Sequence, residues 1–155
     1  ILEAGEKVIV FSSFNKPLEI LKEELGEKAI LLVGKTPVQK RGELVDRFQE
    51  DPNCQVFLKG FLSGGTGITL TAASNVLFLD YAWNPSDLEQ SLDRCHRPGQ
   101  TAASINIHQL RANITTDIRH QELLDWKRKV VGGVVDGKKE PDTLGLIMED
   151  YKKRI

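Results

Sequence analysis

The sequence predicts an α/β fold with a central, mainly parallel sheet and helices on both of its faces. Three observations carry this. Short apolar, β-branched runs recur along the chain, amphipathic stretches of helical period separate them, and no repeat or low-complexity tract interrupts the alternation. Strands that are apolar throughout need cover on both faces, and helical connections between them make neighbours parallel. At 155 residues, 40% of them hydrophobic, the chain has enough material for one full core.

The elements follow in order. Lys7–Phe11 (KVIVF) is the first strand, and an amphipathic stretch from Pro17 to Leu25 the first helix. Ala29–Val33 (AILLV) is the second strand and Pro37–Glu50 the second helix. Gln55–Leu58 and Val76–Asp80 (VLFLD) are the third and fourth strands. A helix is then expected from Pro85 to Arg97. Asn84 can cap it, Asp87 suits its positive end, and Pro98-Gly99 stops it. Ser104–Leu110 alternates around Ile105 and Ile107 as a fifth strand. From Thr116 a helical pattern through Ile118, Leu123, Trp126 and Val130 runs to Val135. Gly132-Gly133 and Asp136–Lys139 break it, and Asp142–Lys152 forms a terminal amphipathic helix. The expected domain covers residues 1–137, with a linker and terminal helix over 138–155.

A net charge of −1 gives no overall basic signature for nucleic acid, although a local basic groove remains compatible with it. The two cysteines, Cys54 and Cys95, lie far apart, with neither metal-ligand spacing nor a disulfide framework, as suits a reducing interior. No signal peptide or membrane-length apolar run is visible. The expected setting is intracellular: cytoplasmic in a prokaryote or virus, nuclear in a eukaryote. The chain starts at Ile1 without an initiator methionine and reads as an excised piece of something longer.

Two segments imitate phosphate-loop ATPase motifs. Gly34-Lys35-Thr36 ends like a phosphate-binding loop, but that motif needs another glycine where Ala29 stands. Thr36-x-x-Gln39 is better read as a capping box with Pro37 at the first helical position. Val76–Asp80 resembles a strand ending in a Mg²⁺-holding Asp. Without a phosphate loop such a metal has nothing to serve, so Asp80 is expected to bond to the following loop.

Two other segments carry chemistry. On the expected helix, Gln90, Arg94 and Arg97 fall at i, i+4 and i+7 on one face. Two fork-shaped guanidiniums beside an amide make a poor core and a good receptor for a polyphosphate, although a bare pair of arginines is more often a solvated face. Ser63–Ala73 (SGGTGITLTAA) follows the third strand, where α/β sheets place binding loops. Its glycines let backbone amides approach an anion, and Thr69 and Thr71 add hydroxyl donors; a tight strand-to-helix turn is the plain alternative.

Together the motifs resemble the second RecA-like lobe of the Swi/Snf-type ATPases, the superfamily-two DNA translocases. Val8–Phe14 (VIVFSSF) resembles motif IV of that family, and Ser63–Ala73 its motif V. Asp80–Pro85 (DYAWNP) with Gln90–Gln100 (QSLDRCHRPGQ) is similar to the family's stretch containing motif VI. Residues 116–137 follow its C-terminal brace pattern. The resemblance implies a RecA-like three-layer fold with C-terminal brace helices. It assigns Arg97 the arginine-finger role, Arg94 a second γ-phosphate or inter-lobe contact, and Gln90 support of the site. Gly65 and Gly67 would shape the loop between ATP and DNA, with Ser12, Lys59, Thr69 and Thr71 as DNA contacts. His96 is assigned a structural hydrogen bond and Trp83 a packing anchor.

The same resemblance places the phosphate-loop lysine, the Mg²⁺-binding carboxylates and the adenine site in a first lobe that this sequence lacks. ATP and Mg²⁺ are thus the implied cofactors, the Mg²⁺ held by that absent lobe. The implied partners are double-stranded DNA and the N-terminal lobe, with no membrane. Half of a composite site cannot position ATP, so the fragment alone is expected to be inactive. Two departures stand out. Phe61 and Leu62 occupy a stretch where many relatives carry a polar or basic residue, leaving Lys59 as the nearest cation. Pro98 replaces a usual aliphatic residue and should stiffen the loop after Arg97. The alternatives are a strand-separating DEAD-box lobe, disfavoured by Gln100 and Trp83-Asn84-Pro85, and a non-catalytic interaction module, disfavoured by intact Gln90, Arg94 and Arg97.

Overall fold

A computed structural model of the chain describes residues 1–61, 63, 67–80, 85–110 and 125–126. The chain forms two compact units, Ile1–Asn113 and Ile114–Ile155. In the second unit, Asp125 and Trp126 are helical. The rest of the expected brace helix and the terminal helix lie outside the described residues.

The first unit is a five-stranded sheet in the order β2-β3-β1-β4-β5. The strands are β1 (Val8–Ser12), β2 (Ala29–Leu32), β3 (Val56–Gly60), β4 (Asn75–Phe78) and β5 (Asn106–Gln109). Every pairing is parallel. Three helices connect them: α1 (Asn15–Leu25), α2 (Val38–Glu50) and α3 (Pro85–Leu92). The expected α/β class and RecA-like layering are present. β1 and β3 are buried along their whole lengths, as strands at the centre of a covered sheet must be.

Strand period assigns the two cores. Val8, Val10, Val56 and Leu58 point to one face, where Leu18, Leu21 and Leu25 of α1 cover them. Ile9, Phe11, Phe57, Val76 and Phe78 point to the other, under Phe48 of α2 and Leu88 and Leu92 of α3. Phe11, Phe61 and Phe78 form a mutual stack with ring centroids 5.5, 5.6 and 5.8 Å apart. Phe61 therefore belongs to the core edge, which is why a polar residue is absent there.

Two local expectations need correction. The helix expected to reach Arg97 ends at Leu92. Pro98 has no N–H for the carbonyl of Arg94, four residues back, so that carbonyl has no helical partner. That carbonyl instead accepts the N–H of Leu70 at 2.9 Å, and the N–H groups of residues 94–96 close tight turns on the carbonyls of Ser91 and Leu92. Gln90, Arg94 and Arg97 consequently do not share one helical face. Thr36 does not cap α2, whose N-cap is Pro37 without a side-chain bond. Its hydroxyl accepts the N–H of Val33 at 3.1 Å, tightening the turn after β2. Asp80 bonds back to the end of β1, accepting Ser12 Oγ–H and the N–H of Ser13 at 2.9 Å, while the loop expected to bond it, residues 81–84, lies outside the described residues.

Candidate functional site

In a parallel sheet all carboxyl ends lie on one edge, and the loops that leave this edge carry the chemistry. Here they are the turn after β1, the turn after β2, the glycine-rich segment after β3, and Asp80 after β4. Of three hydrogen bonds from Arg97, one lies within the arginine turn and two join that turn to the glycine-rich segment. Nε donates to the Asp93 carbonyl at 3.0 Å, and Nη1 to the Gly67 carbonyl at 3.3 Å and to Thr69 Oγ1 at 3.2 Å. Gly67 has φ +106°, where a side chain would be strained, so the glycine is required for its conformation. Gly99 closes the arginine turn at φ +104°, with the N–H of Gln100 on the Arg97 carbonyl at 3.0 Å.

The segment 67–73 belongs to no regular element, and side chains hold it in place. Gln49 accepts the N–H of Ala72 at 2.7 Å and donates to Thr71 Oγ1 at 3.1 Å. Gln100 donates to the Ala73 carbonyl at 2.9 Å. Both threonine hydroxyls act as acceptors in these bonds, so each keeps its own O–H for an outside oxygen. Arg94 is half-buried, Gln90 and His96 are exposed, and His96 is tied to the turn by its N–H on the Leu92 carbonyl. Gly65, Leu62, Trp83 and Asn84 lie outside the described residues.

Two expected DNA contacts are placed elsewhere. Ser12 is fully buried; its hydroxyl is donated to Asp80 and accepts the N–H of Phe14 at 3.0 Å. Lys59 is 6% exposed, lies on the Phe57 face of β3, and sits 5.8 Å from the ring centre of Phe11. Burial first, then the Arg94 and Arg41 guanidiniums, hold its ammonium down to about 8. Both side chains are buried beneath this edge in the lobe. Arg41 was missed in the sequence; it donates to the carbonyls of Thr36 at 3.1 Å and Gly34 at 3.4 Å and fixes the turn after β2. Gln49 was missed as well, since nothing local distinguishes it from a solvated glutamine.

The resemblance places the Mg²⁺ in the first lobe and none at Asp80, and the bonds of Asp80 agree with a structural part for it. Its oxygens accept bonds from Ser12 and Ser13, so it acts as a strand-end tie. The residues gathered here present guanidiniums, hydroxyls and backbone groups. They can receive an anion and stabilise charge, and among the described residues no group of His, Cys, Asp and Glu could hold a metal ion.

The sequence pattern of the helicase conserved C-terminal domain matches residues 1–99. The chain is 39% identical over 129 residues to Helicase SWR1 of Gibberella zeae, a match covering 78% of this chain and 8% of that protein. It superposes on the C-terminal part of the Fun30 ATPase domain with a TM-score of 0.73 and 37% identity, covering 80% of this chain and 41% of that one. A Sulfolobus solfataricus SWI2/SNF2 ATPase core, solved in complex with double-stranded DNA, superposes with a TM-score of 0.67 and 27% identity, covering 88% and 29%. The chain thus spans less than half the length of these proteins. With its fold, its glycine-rich loop and its arginine turn arranged as described, the chain belongs to the helicase C-terminal domain family, as a second RecA-like lobe of the Swi2/Snf2 type.

Proposed function

We propose that this lobe is the C-terminal half of an ATP-dependent double-stranded DNA translocase serving remodelling, repair or fork processing. The observation that carries the reading is the bonding of Arg97 to Gly67 and Thr69, which ties the arginine turn to the glycine-rich loop proposed to meet DNA. Among the described residues, Arg97 uses Nε and Nη1 internally and leaves its Nη2 amine for a phosphoryl oxygen. The first lobe, with its phosphate loop and Mg²⁺ ligands, would bring the γ-phosphate to that edge as the lobes close. Arg97 then neutralises charge spreading over the transferred phosphoryl, an effect on the order of 10³–10⁵ in rate. Arg94 makes the second contact with the phosphate or the first lobe, and Gln90 supports it from the exposed end of α3. Gly65 and Gly67 shape the loop, and the O–H groups of Thr69 and Thr71 donate to a DNA backbone oxygen.

The protein is proposed to act inside the cell, in the nucleus if the host is a eukaryote and in the cytoplasm if it is a prokaryote or virus. Among the described residues no helix is long and apolar enough to cross a membrane. The test compares the 155-residue lobe alone with the same lobe joined to its first lobe. The lobe alone should hydrolyse no ATP and bind it no tighter than roughly millimolar. Its DNA binding should be weak and lost at moderate salt. The joined protein should hydrolyse ATP with strong DNA stimulation. Robust DNA-stimulated hydrolysis by the lobe alone contradicts the half-site reading.

A further inference from the structure

We infer that Gln49 is a positioning residue that couples the glycine-rich segment to the arginine turn. It lies in the last turn of α2, outside both motifs. Its one side chain serves three residues of that segment. Oε1 accepts the N–H of Ala72 at 2.7 Å, and Nε2 donates to Thr71 Oγ1 at 3.1 Å and to the Thr69 carbonyl at 3.4 Å. The buried backbone groups of a half-buried segment outside any sheet ladder still have to be satisfied, and side chains can supply what a neighbouring strand would. Leu70 and Ala73 are fully buried, so this segment is part of the core while lacking a ladder.

The other partners of the same segment come from the arginine turn. The Arg94 carbonyl accepts the N–H of Leu70 at 2.9 Å, and Gln100 Nε2 donates to the Ala73 carbonyl at 2.9 Å. Thr69 is the meeting point: its carbonyl takes the Gln49 amide, and its hydroxyl takes the Arg97 guanidinium. The segment is therefore held between α2 and the turn that carries both arginines. A displacement of the glycine loop by an incoming DNA strand would be transmitted to Arg97 as long as Gln49 keeps residues 69–72 from yielding. Without that hold residues 69–72 yield, and less of the displacement reaches the arginine turn through its bonds at Thr69, Leu70 and Ala73. This inference rests on the proposed function, since it concerns how DNA occupancy reaches the arginine.

The test uses the full-length protein with both lobes. Gln49→Met keeps the bulk and loses all three bonds, whereas Gln49→Glu keeps the acceptor for Ala72. ATP turnover is measured without DNA and across a range of double-stranded DNA concentrations. For Gln49→Met the ratio of DNA-saturated to DNA-free turnover should fall about fivefold or more, with Gln49→Glu recovering part of it. Hydrogen exchange at the Ala72 amide should quicken in Gln49→Met, while amides of β1 and β3 keep their rates. A Gln49→Met ratio within about twofold of wild type overturns the inference. So does loss of both rates in proportion with global destabilisation, which assigns Gln49 a packing role. A wild-type protein without DNA stimulation overturns the functional reading itself, and the two failures are thereby told apart.

Discussion

Arg97 Nη1 donates to Thr69 Oγ1 at 3.2 Å, joining residues 28 positions apart in the chain. The bond ties the turn that stops α3 to the loop that follows β3. Its chemistry also sets its strength: a guanidinium donating to a half-buried hydroxyl is stronger than a neutral pair but is partly screened by water. A double-mutant cycle of Arg97→Ala with Thr69→Val should therefore return a coupling of about 1 kcal/mol in unfolding free energy. Additive single effects would mean that the bond does not form in solution.

Asp80 ties the fourth strand to the first. Asp80→Ala leaves the Ser12 hydroxyl, which is fully buried, without its acceptor. It also removes the partner of the Ser13 N–H. The expected loss is about 2–3 kcal/mol, read from the denaturant midpoint, with Asp80→Asn milder because one oxygen acceptor remains. An unchanged midpoint for Asp80→Ala contradicts the tie.

Lys59 makes stability depend on pH in the alkaline range. Its ammonium titrates at about 8 in the fold against 10.5 ordinarily, chiefly because it is buried. Between those values the unfolded chain holds a proton that the folded chain has released, so this residue makes stability rise with pH. Below the folded value both states are protonated and the full penalty stands, roughly 3 kcal/mol at most. Lys59→Met removes it. The variant should melt higher than wild type near neutral pH, and its advantage should shrink as the pH rises towards the ordinary lysine value. A pH-independent difference contradicts a charged, buried Lys59.

The cysteines should be inert in the folded protein. Cys95 is fully buried, and burial pushes its thiol up to about 12, so thiolate is scarce at neutral pH. Cys54 is also fully buried, and burial raises its thiol too. Alkylation of both should follow global unfolding and speed up together with denaturant. Rapid labelling of native protein would show that this side of the core is open.

The sheet was readable from the sequence because each strand is a short apolar run bounded by turn residues, a pattern fixed locally. The site was readable in its letters and less so in its geometry. A helix drawn up to its prolyl stop runs too far, because α3 ends at Leu92 and the Arg94 carbonyl turns to Leu70, a partner set by the tertiary path. The placement of Lys59 was available in principle: it follows Phe57 by two positions and so shares its inward face. Ser12 follows Val10 in the same way. A motif carried over by resemblance does not say which of its polar residues point inwards. Gln49 could not be read at all, because its partners are 20–23 residues further along the chain and depend on the tertiary path.

The central claim is that Arg97 acts on the transferred phosphoryl of ATP, and kcat of the Arg97→Ala variant in the two-lobe protein tests it most directly. The finger works on transition-state charge, so kcat should drop by at least about a hundredfold while DNA affinity changes little. Arg97→Lys should rescue poorly, since a point charge does not reproduce the fork. The variant lobe should lose only about 1 kcal/mol of stability, for the bonds to Asp93, Gly67 and Thr69 lie near the surface. A kcat within about threefold of wild type, alongside a markedly less stable lobe, would contradict the account and make Arg97 a structural residue.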